Sequence, residues 1–303
     1  MVSLSKVVST VSFLAFASMP VTYAQVADEK ERLDSLYIEE VEDGKHRTDK
    51  VLHAEPLYID LIRDLGARKG EHELNIGLGI TDNQRYDHYT TLVEYEFAPI
   101  DRLGLEVELP FLFYYPNQAD VKKDSIPFSR VSSLKTAAQY SFYVSEKHST
   151  SMAIGYIHEV LLPPLRHYGK VTFVRGHGYN PFFVAAKRLG NNFHTLLYTG
   201  PYIEKQAAHS SHTEWHMNSN LHYMIPGTRN FIGLELNKKY AHNGDTNTRD
   251  FDMTIRPQMR LAIADNLMIG IVAGVPIKRE NERFSTFMRL IYEPGSRSSA
   301  HNM

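Results

Sequence analysis

Residues 102–111 read RLGLEVELPF, with Leu103, Leu105, Val107, Leu109 and Phe111 on one parity and Gly104, Glu106, Glu108 and Pro110 on the other. Strict period-two alternation marks a strand with one apolar and one polar face. The pattern recurs down the chain in HELNIGLGIT (72–81), YTTLVEYEF (89–97), SLKTAAQYSFYV (133–144), SMAIGYIHEV (151–160), EWHMNSNLHYMI (214–225), NFIGLELNKKY (230–240), FDMTIRPQMRLAI (251–263), LMIGIVAGVPI (267–277) and RFSTFMRLIYE (283–293). NPFFVAAKRL (180–189) and NFHTLLYTGPYIE (192–204) have strand composition but no assignable faces, and they bring the count to about twelve. No helical period recurs between these segments, which argues against a parallel α/β fold.

Two solvents suit such strands. In a secreted sandwich the leucines face a protein core, whereas in a membrane barrel they face lipid and the glutamates face a lumen. The connections favour the barrel. Tight turns at 98–101, 145–150, 190–192, 226–229 and 264–266 alternate with mostly longer connections at 115–132, 161–179, 205–213, 241–249 and 278–282. Outer-membrane barrels place short turns on one rim and long loops on the other. Aromatic residues near strand ends (Tyr86, Tyr89, Phe97, Phe111 to Tyr115, Tyr140 to Tyr143, Tyr292) suit the interfacial girdles of a barrel.

The N-terminus points the same way. Lys6 precedes the run VVSTVSFLAFASMPVTYA, and Thr22 and Ala24 suit cleavage after Ala24, the form of a secretory signal. No later stretch is apolar for the roughly 18 residues of a membrane helix. The formal charge of −2 gives no reason to expect nucleic acid, and there are no cysteines. The expectation is an all-β protein: an antiparallel up-and-down transmembrane β-barrel of about twelve strands with a short N-terminal helix, in the bacterial outer membrane. Its divisions are a signal peptide (1–24), a polar periplasmic segment with an amphipathic helix able to act as a plug (25–70), the barrel (71–293) and a tail (294–303).

Strand parity then assigns the lumen. The first three strands contribute Glu73, Glu94, Glu96, Glu106 and Glu108, and the last three contribute Arg256, Arg260, Arg283 and Arg289. Closure pairs the last strand with the first and brings an acidic wall beside a basic one. Such walls either form a ladder of ion pairs that fills the barrel or impose a transverse field on a pore.

The segment 53–70 reads HAEPLYIDLIRDLGARKG, with Pro56 placed for a first helical turn, Leu57, Leu61 and Leu65 at a spacing of four, and Gly66 as a terminator. Glu55 and Asp60 suit the positive end of a helix dipole. The string His53, Ala54, Glu55, Pro56, Leu57, Tyr58, Ile59, Asp60 resembles the motif for which the bacterial HAEPLYID family is named, and the resemblance extends through YDHYTTLVEYEFAPIDRLGLEVELPF. IGYIHEV is also similar to strands of transporter-like outer-membrane barrels associated with aromatic-compound degradation. The last strand, RFSTFMRLIYE, resembles a signal for the barrel-assembly machinery, although GSRSSAHNM follows it. These resemblances imply a type of protein and no catalytic residues.

The first functional expectation is a channel or transporter-like protein for small solutes, with outer-membrane lipid and the assembly machinery as partners. A structural barrel without an open pore is an alternative. A lipid-modifying hydrolase is another, with Ser210, Ser211, His209, His212 and His216 in AAHSSHTEWH as its candidates. The histidines at 209, 212 and 216 have helical spacing, but the stretch reads as a loop entering a strand, so solvated histidines are expected rather than a metal site. Neither a cofactor nor a metal is expected.

Overall fold

The computed structural model describes residues 48–58, 65–122, 125–169, 172–206, 209–243, 248–264, 266–279 and 281–294. Alternating sequence produces strands throughout: β1 (His72–Asn83), β2 (Tyr86–Ile100), β3 (Leu103–Pro116), β4 (Arg130–Val131), β5 (Ser133–Ser145), β6 (Thr150–Leu161), β7 (Gly176–Leu189), β8 (Phe193–Gln206), β9 (His209–Met224), β10 (Phe231–Asn243), β11 (Thr248–Ala264), β12 (Leu267–Lys278) and β13 (Glu282–Tyr292). β4 and β5 form one stave interrupted at Ser132, whose N–H still bonds the Pro110 carbonyl at 2.8 Å. Twelve staves result. Each pairs antiparallel with its sequence neighbours, and β1 pairs with both β2 and β13, which closes the sheet into a barrel. Closure leaves no strand edge unpaired, the condition for a sheet in hydrocarbon.

The parity of burial is inverted relative to a soluble protein. On β3, Glu106 and Glu108 are each 2 % exposed while Val107 is 43 % exposed. The outer surface carries Ile76, Leu78, Ile80, Val93, Leu109, Ile232 and Ile271. Aromatic rings sit toward both ends of this belt: Tyr89, Tyr115, Trp215 and Tyr240 toward one, Tyr140, Phe193, Tyr223 and Tyr292 toward the other. Trp215 and Tyr223 are separated by about 27 Å along β9, or about 20 Å along the axis of a barrel tilted by about 40°. That is close to the apolar band of about 25 Å in outer-membrane barrels.

The rim carrying the starts of β1 and the end of β13, here the near rim, has the tight turns. Gly190 and Gly227 take φ of +63° and +70° there, values a glycine adopts without strain. The far rim departs from the expected contrast. Only β3 to β4 and β6 to β7 are joined by long connections, because β9, β10 and β11 continue their ladders well beyond the expected strand ends and β8, β12 and β13 slightly beyond them. His209 to His216 accordingly lie in β9 rather than in a loop. Polar alternation ends a lipid-facing stripe without ending hydrogen-bonded pairing, so hairpins run on past the membrane.

The N-terminal segment is not helical where it is described. Residues 48–58 run extended inside the barrel, with a bend at 57–58, and residues 65–70 lead into β1; the rest of the expected helix, 59–64, lies outside the described residues, as does the expected signal peptide. The helix fails at 53–58 because the barrel wall takes the backbone bonds a helix would have made. Ala54 N–H donates to Nδ1 of His194 at 2.8 Å, and Leu57 N–H donates to Oε1 of Gln258 at 2.9 Å.

Candidate functional site

The lumen has two walls and a strap between them. The charged wall is built on β1–β3 and β10–β13. Register sets Glu96 opposite Glu106 and Glu94 opposite Glu108, while Glu73 faces Glu96 and Asn75 faces Glu94. Like charges directly opposed destabilise a sheet, so this block needs donors. Asn75 Nδ2 lies 2.7 Å from Glu73, 2.6 Å from Glu94 and 3.2 Å from Glu96. Lys135 Nζ is 2.9 Å from Glu108. Arg289 on β13 spans β1 to reach Glu94 at 3.2 Å. It can do so because β1 presents Gly77 and Gly79 inward; a Cβ on Gly77 would stand 2.7 Å from both Leu92 and Phe287.

The expected meeting of acidic and basic walls is therefore real at Glu94 and Arg289. Arg256 and Arg260 also face inward and are buried. The Arg256 guanidinium lies 3.4 Å from the centre of the Tyr58 ring and donates to Asn237 at 2.8 Å and Ser285 at 3.0 Å. Arg260 donates to the Arg229 carbonyl at 3.3 Å and packs over Phe231. Arg283 departs from the expected set. A register shift at Asp82/Asn83 reverses parity there, and the exposed Arg283 pairs with Asp82 at the far rim.

Glu94, Glu96 and Glu106 bring one carboxylate oxygen each to within 4.8 Å of one another, the single metal-capable group among the described residues. An all-oxygen set of this kind suits a hard cation. Arg289 and the Asn75 amide supply positive charge and donors to the same block.

The opposite wall, β5–β8, carries an apolar cluster, with Lys135, Gln139, Asn180, Arg188 and His194 buried around it. Ala137, Ala153, Ile157, Phe182, Val184, Ala186, Leu196 and Tyr198 form a buried cluster into which Leu65 inserts. Gly155 admits the Phe182 ring, whose Cζ would lie 2.1 Å from an added Cβ. Tyr198 satisfies its hydroxyl on Asn180 Oδ1 at 2.6 Å.

The strap crosses between the walls from the near rim. Lys50 pairs with Glu71 at 2.7 Å, His53 Nε2 meets Ser151 Oγ at 3.0 Å, and the Ala54 carbonyl lies 3.2 Å from Nδ1 of His222. Leu57 is seated against Gly270 within a cluster that includes Leu92, Met268, Val272 and Phe287. On the return, Gly66 N–H donates to Ser141 Oγ at 2.9 Å and Arg102 N–H donates to the Ala67 carbonyl at 2.6 Å. Outside the spanning region, Asp101 accepts from Lys69 N–H at 2.8 Å and from the Thr48 hydroxyl. These bonds hold its carboxyl below the usual carboxylate range. Of the HAEPLYID residues, 53–58 line the lumen and Ile59 and Asp60 lie outside the described residues.

The residues that grip the strap, His194, His222 and Gln258, were not among those singled out in the sequence. For His222 and Gln258 the signal was parity, since each falls on an inward position of an alternating strand; His194 lies in a stretch whose faces the sequence does not separate. The hydrolase candidates His212 and His216 flank Glu214 at 3.0 and 2.9 Å, with Lys239 at 3.1 Å, on the lumen-facing parity of β9.

A closed antiparallel barrel with an apolar exterior, a charged lumen and an internal strap defines an outer-membrane-type β-barrel. The HAEPLYID-like family profile matches residues 49–293, and the chain belongs to that family. No curated protein matches the sequence. Among solved structures, the fold is similar to that of the COG4313 outer membrane channel from Pseudomonas putida F1, with a TM-score of 0.61 and 11% identity over 78% of this chain and 99% of that one. The NanC porin aligns with a TM-score of 0.51 and 8% identity over 73% of this chain and 98% of that one.

Proposed function

We propose that the protein is an outer-membrane channel or transporter-like barrel for small solutes, with residues 48–58 acting as a strap across its lumen. The observation that carries this reading is the inverted burial. Glutamates such as Glu94, Glu96, Glu106 and Glu235 and arginines such as Arg256, Arg260 and Arg289 face inward on walls that an impermeable barrel would more simply fill with apolar side chains. Opposed acidic and basic groups lining a pore set up a transverse field that orients dipolar solutes. The barrel fold shared with proteins described as a channel and a porin supports the same reading. In this reading the apolar run before Gln25 is an export signal cleaved near Ala24, the barrel-assembly machinery inserts the chain, and the belt of Ile76, Leu78, Val93 and Val107 contacts outer-membrane lipid.

The test is planar-bilayer conductance of the mature protein and of a variant lacking residues 48–58, each first verified as a closed barrel by its heat-dependent gel mobility. Discrete conductance steps that grow on deleting the strap are expected. Silence in both forms would reject the channel and leave a structural barrel.

A further inference from the structure

We propose that the barrel's grip on the strap is an acid-sensitive latch formed by His194 and His222, and that protonating these rings frees the strap. The inference concerns the regulation of the same lumen, and its effect on flux rests on the channel reading.

One alanine fixes the state of both rings. Ala54 N–H can only donate, so the His194 Nδ1 that it meets at 2.8 Å carries no proton. The Ala54 carbonyl can only accept, so the His222 Nδ1 at 3.2 Å is protonated. Nε2 of His222 is met at 2.8 Å by the Gln258 amide nitrogen. That amide is oriented from its other end, where Oε1 accepts Leu57 N–H and Nε2 also approaches Glu235 at 3.0 Å. His222 Nε2 is therefore an acceptor. Both rings are neutral, in opposite tautomers; the Ala54 N–H bond to His194 and the Leu57 N–H bond to Gln258 depend on that neutrality, whereas the His222 Nδ1–H bond to the Ala54 carbonyl does not.

Adding a proton removes the Ala54–His194 and Leu57–Gln258 bonds by different routes. On His194 it sets a ring N–H against Ala54 N–H. On His222 it sets a ring N–H against the Gln258 amide group, which must turn over, and its oxygen then leaves Leu57. Once the strap has left, each ring titrates as histidine ordinarily does, so acid favours the released state over the latched one. The charged and titratable groups facing the two rings are His53 on the strap, Arg188 on β7, Arg260 on β11 and, through Gln258, Glu235 on β10. A crevice at the near rim, lined in part by Leu52, Asn192 and Met224, borders the His194 ring.

Amide hydrogen exchange over residues 51–57 tests the latch directly, at pH 7.5 and pH 5 and corrected for the intrinsic chemical rate. The variants are His194→Asn with His222→Asn, and His222→Asn alone, because Asn places a non-titrating amide near the position of Nδ1. Wild-type protein is expected to lose protection at pH 5 by about tenfold or more, and the double variant to keep the same protection at both values. Equal protection of wild-type protein at the two pH values would overturn the latch without reference to any variant. Loss at pH 5 that persists in the double variant would also overturn it. Conductance is recorded on the same samples. An acid-loosened strap in a barrel that never conducts upholds the latch and removes the channel reading instead.

Discussion

The charged wall on β1–β3 and β10–β13 and the apolar wall on β5–β8 occupy the same barrel and obey the same alternation, yet they are stabilised in opposite ways. Inside the charged wall, side chains satisfy one another across strands, as Arg289 does for Glu94, and Lys135 reaches Glu108 from the neighbouring β5. Inside the apolar wall, Phe182, Val184 and Leu196 have no polar partners to seek, and Leu65 from the strap completes their packing. The acidic block of the charged wall is held by side chains of the sheet, and the strap meets that wall further round, at Leu57 and Tyr58, whereas the apolar cluster is completed by Leu65 itself. A barrel lumen is thus not obliged to be uniformly polar where a strap covers part of it.

Removing a partner from the charged wall should have the largest effect. Arg289→Ala leaves Glu94 buried without its cation, and breaking a buried pair from one side costs about 3–5 kcal/mol. The urea midpoint of barrel unfolding should fall, and adding Glu94→Gln should recover part of the loss. No recovery in the double variant would mean that the wall is not held together by this pair. Next, Leu65→Ala should cost about 3 kcal/mol through the cavity left in the apolar wall. It should also raise exchange of the strap amides, whereas Arg289→Ala should leave them protected. Equal strap exposure in the two variants would erase the distinction between the walls. Gly270→Val should cost about 1–3 kcal/mol by overpacking, since even a Cβ there lies 2.5 Å from a Leu57 methyl. Its signature is release of Leu57 with the β12 ladder intact.

The smallest effect belongs to Asp101 at the near rim. Its carboxyl titrates below the ordinary value because Lys69 N–H and then the Thr48 hydroxyl bond to the charged form. A lowered folded value means that this stabilisation is fully present above the unfolded value of about 4 and is lost as pH falls through the lowered one. The group is exposed, so Asp101→Asn should change stability by only about tenths of a kcal/mol. The change should be visible near neutral pH and vanish in acid titrations of the unfolding midpoint.

The two walls also differ in how far the sequence disclosed them. Glu94, Glu96, Glu106 and Glu108 stand between apolar lipid-facing residues, so parity alone placed them in the lumen. The faces of 180–189 and 192–204 could not be assigned because both are apolar: Phe183, Ala185 and Leu197 lie on the parity facing outward, while Phe182, Val184 and Leu196 meet the strap. Alternation disappears where a covered lumen and lipid ask for the same chemistry. The leucine spacing of 57, 61 and 65 suggested a helix for a similar reason. Leu57 and Leu65 are indeed buried, but in two separate clusters rather than along one stripe. Arg283 was misplaced by a single register shift, which no local pattern announces.

The strap bonds across great sequence distance: Ala54 to His194 spans 140 residues, Ala54 to His222 spans 168, and Leu57 to Gln258 spans 201. Its last residue precedes β1, which with β13 forms the seam that makes the sheet a cylinder. The order of assembly follows from this. The strap cannot find its partners until β8, β9 and β11 are in place, and it must lie on the concave side before β1 and β13 join. A chain whose seam seals first would have to thread the strap lengthwise through the near rim. Folding of this barrel is therefore expected to pass through an open, curled sheet that already cradles residues 48–58, with closure as the last step.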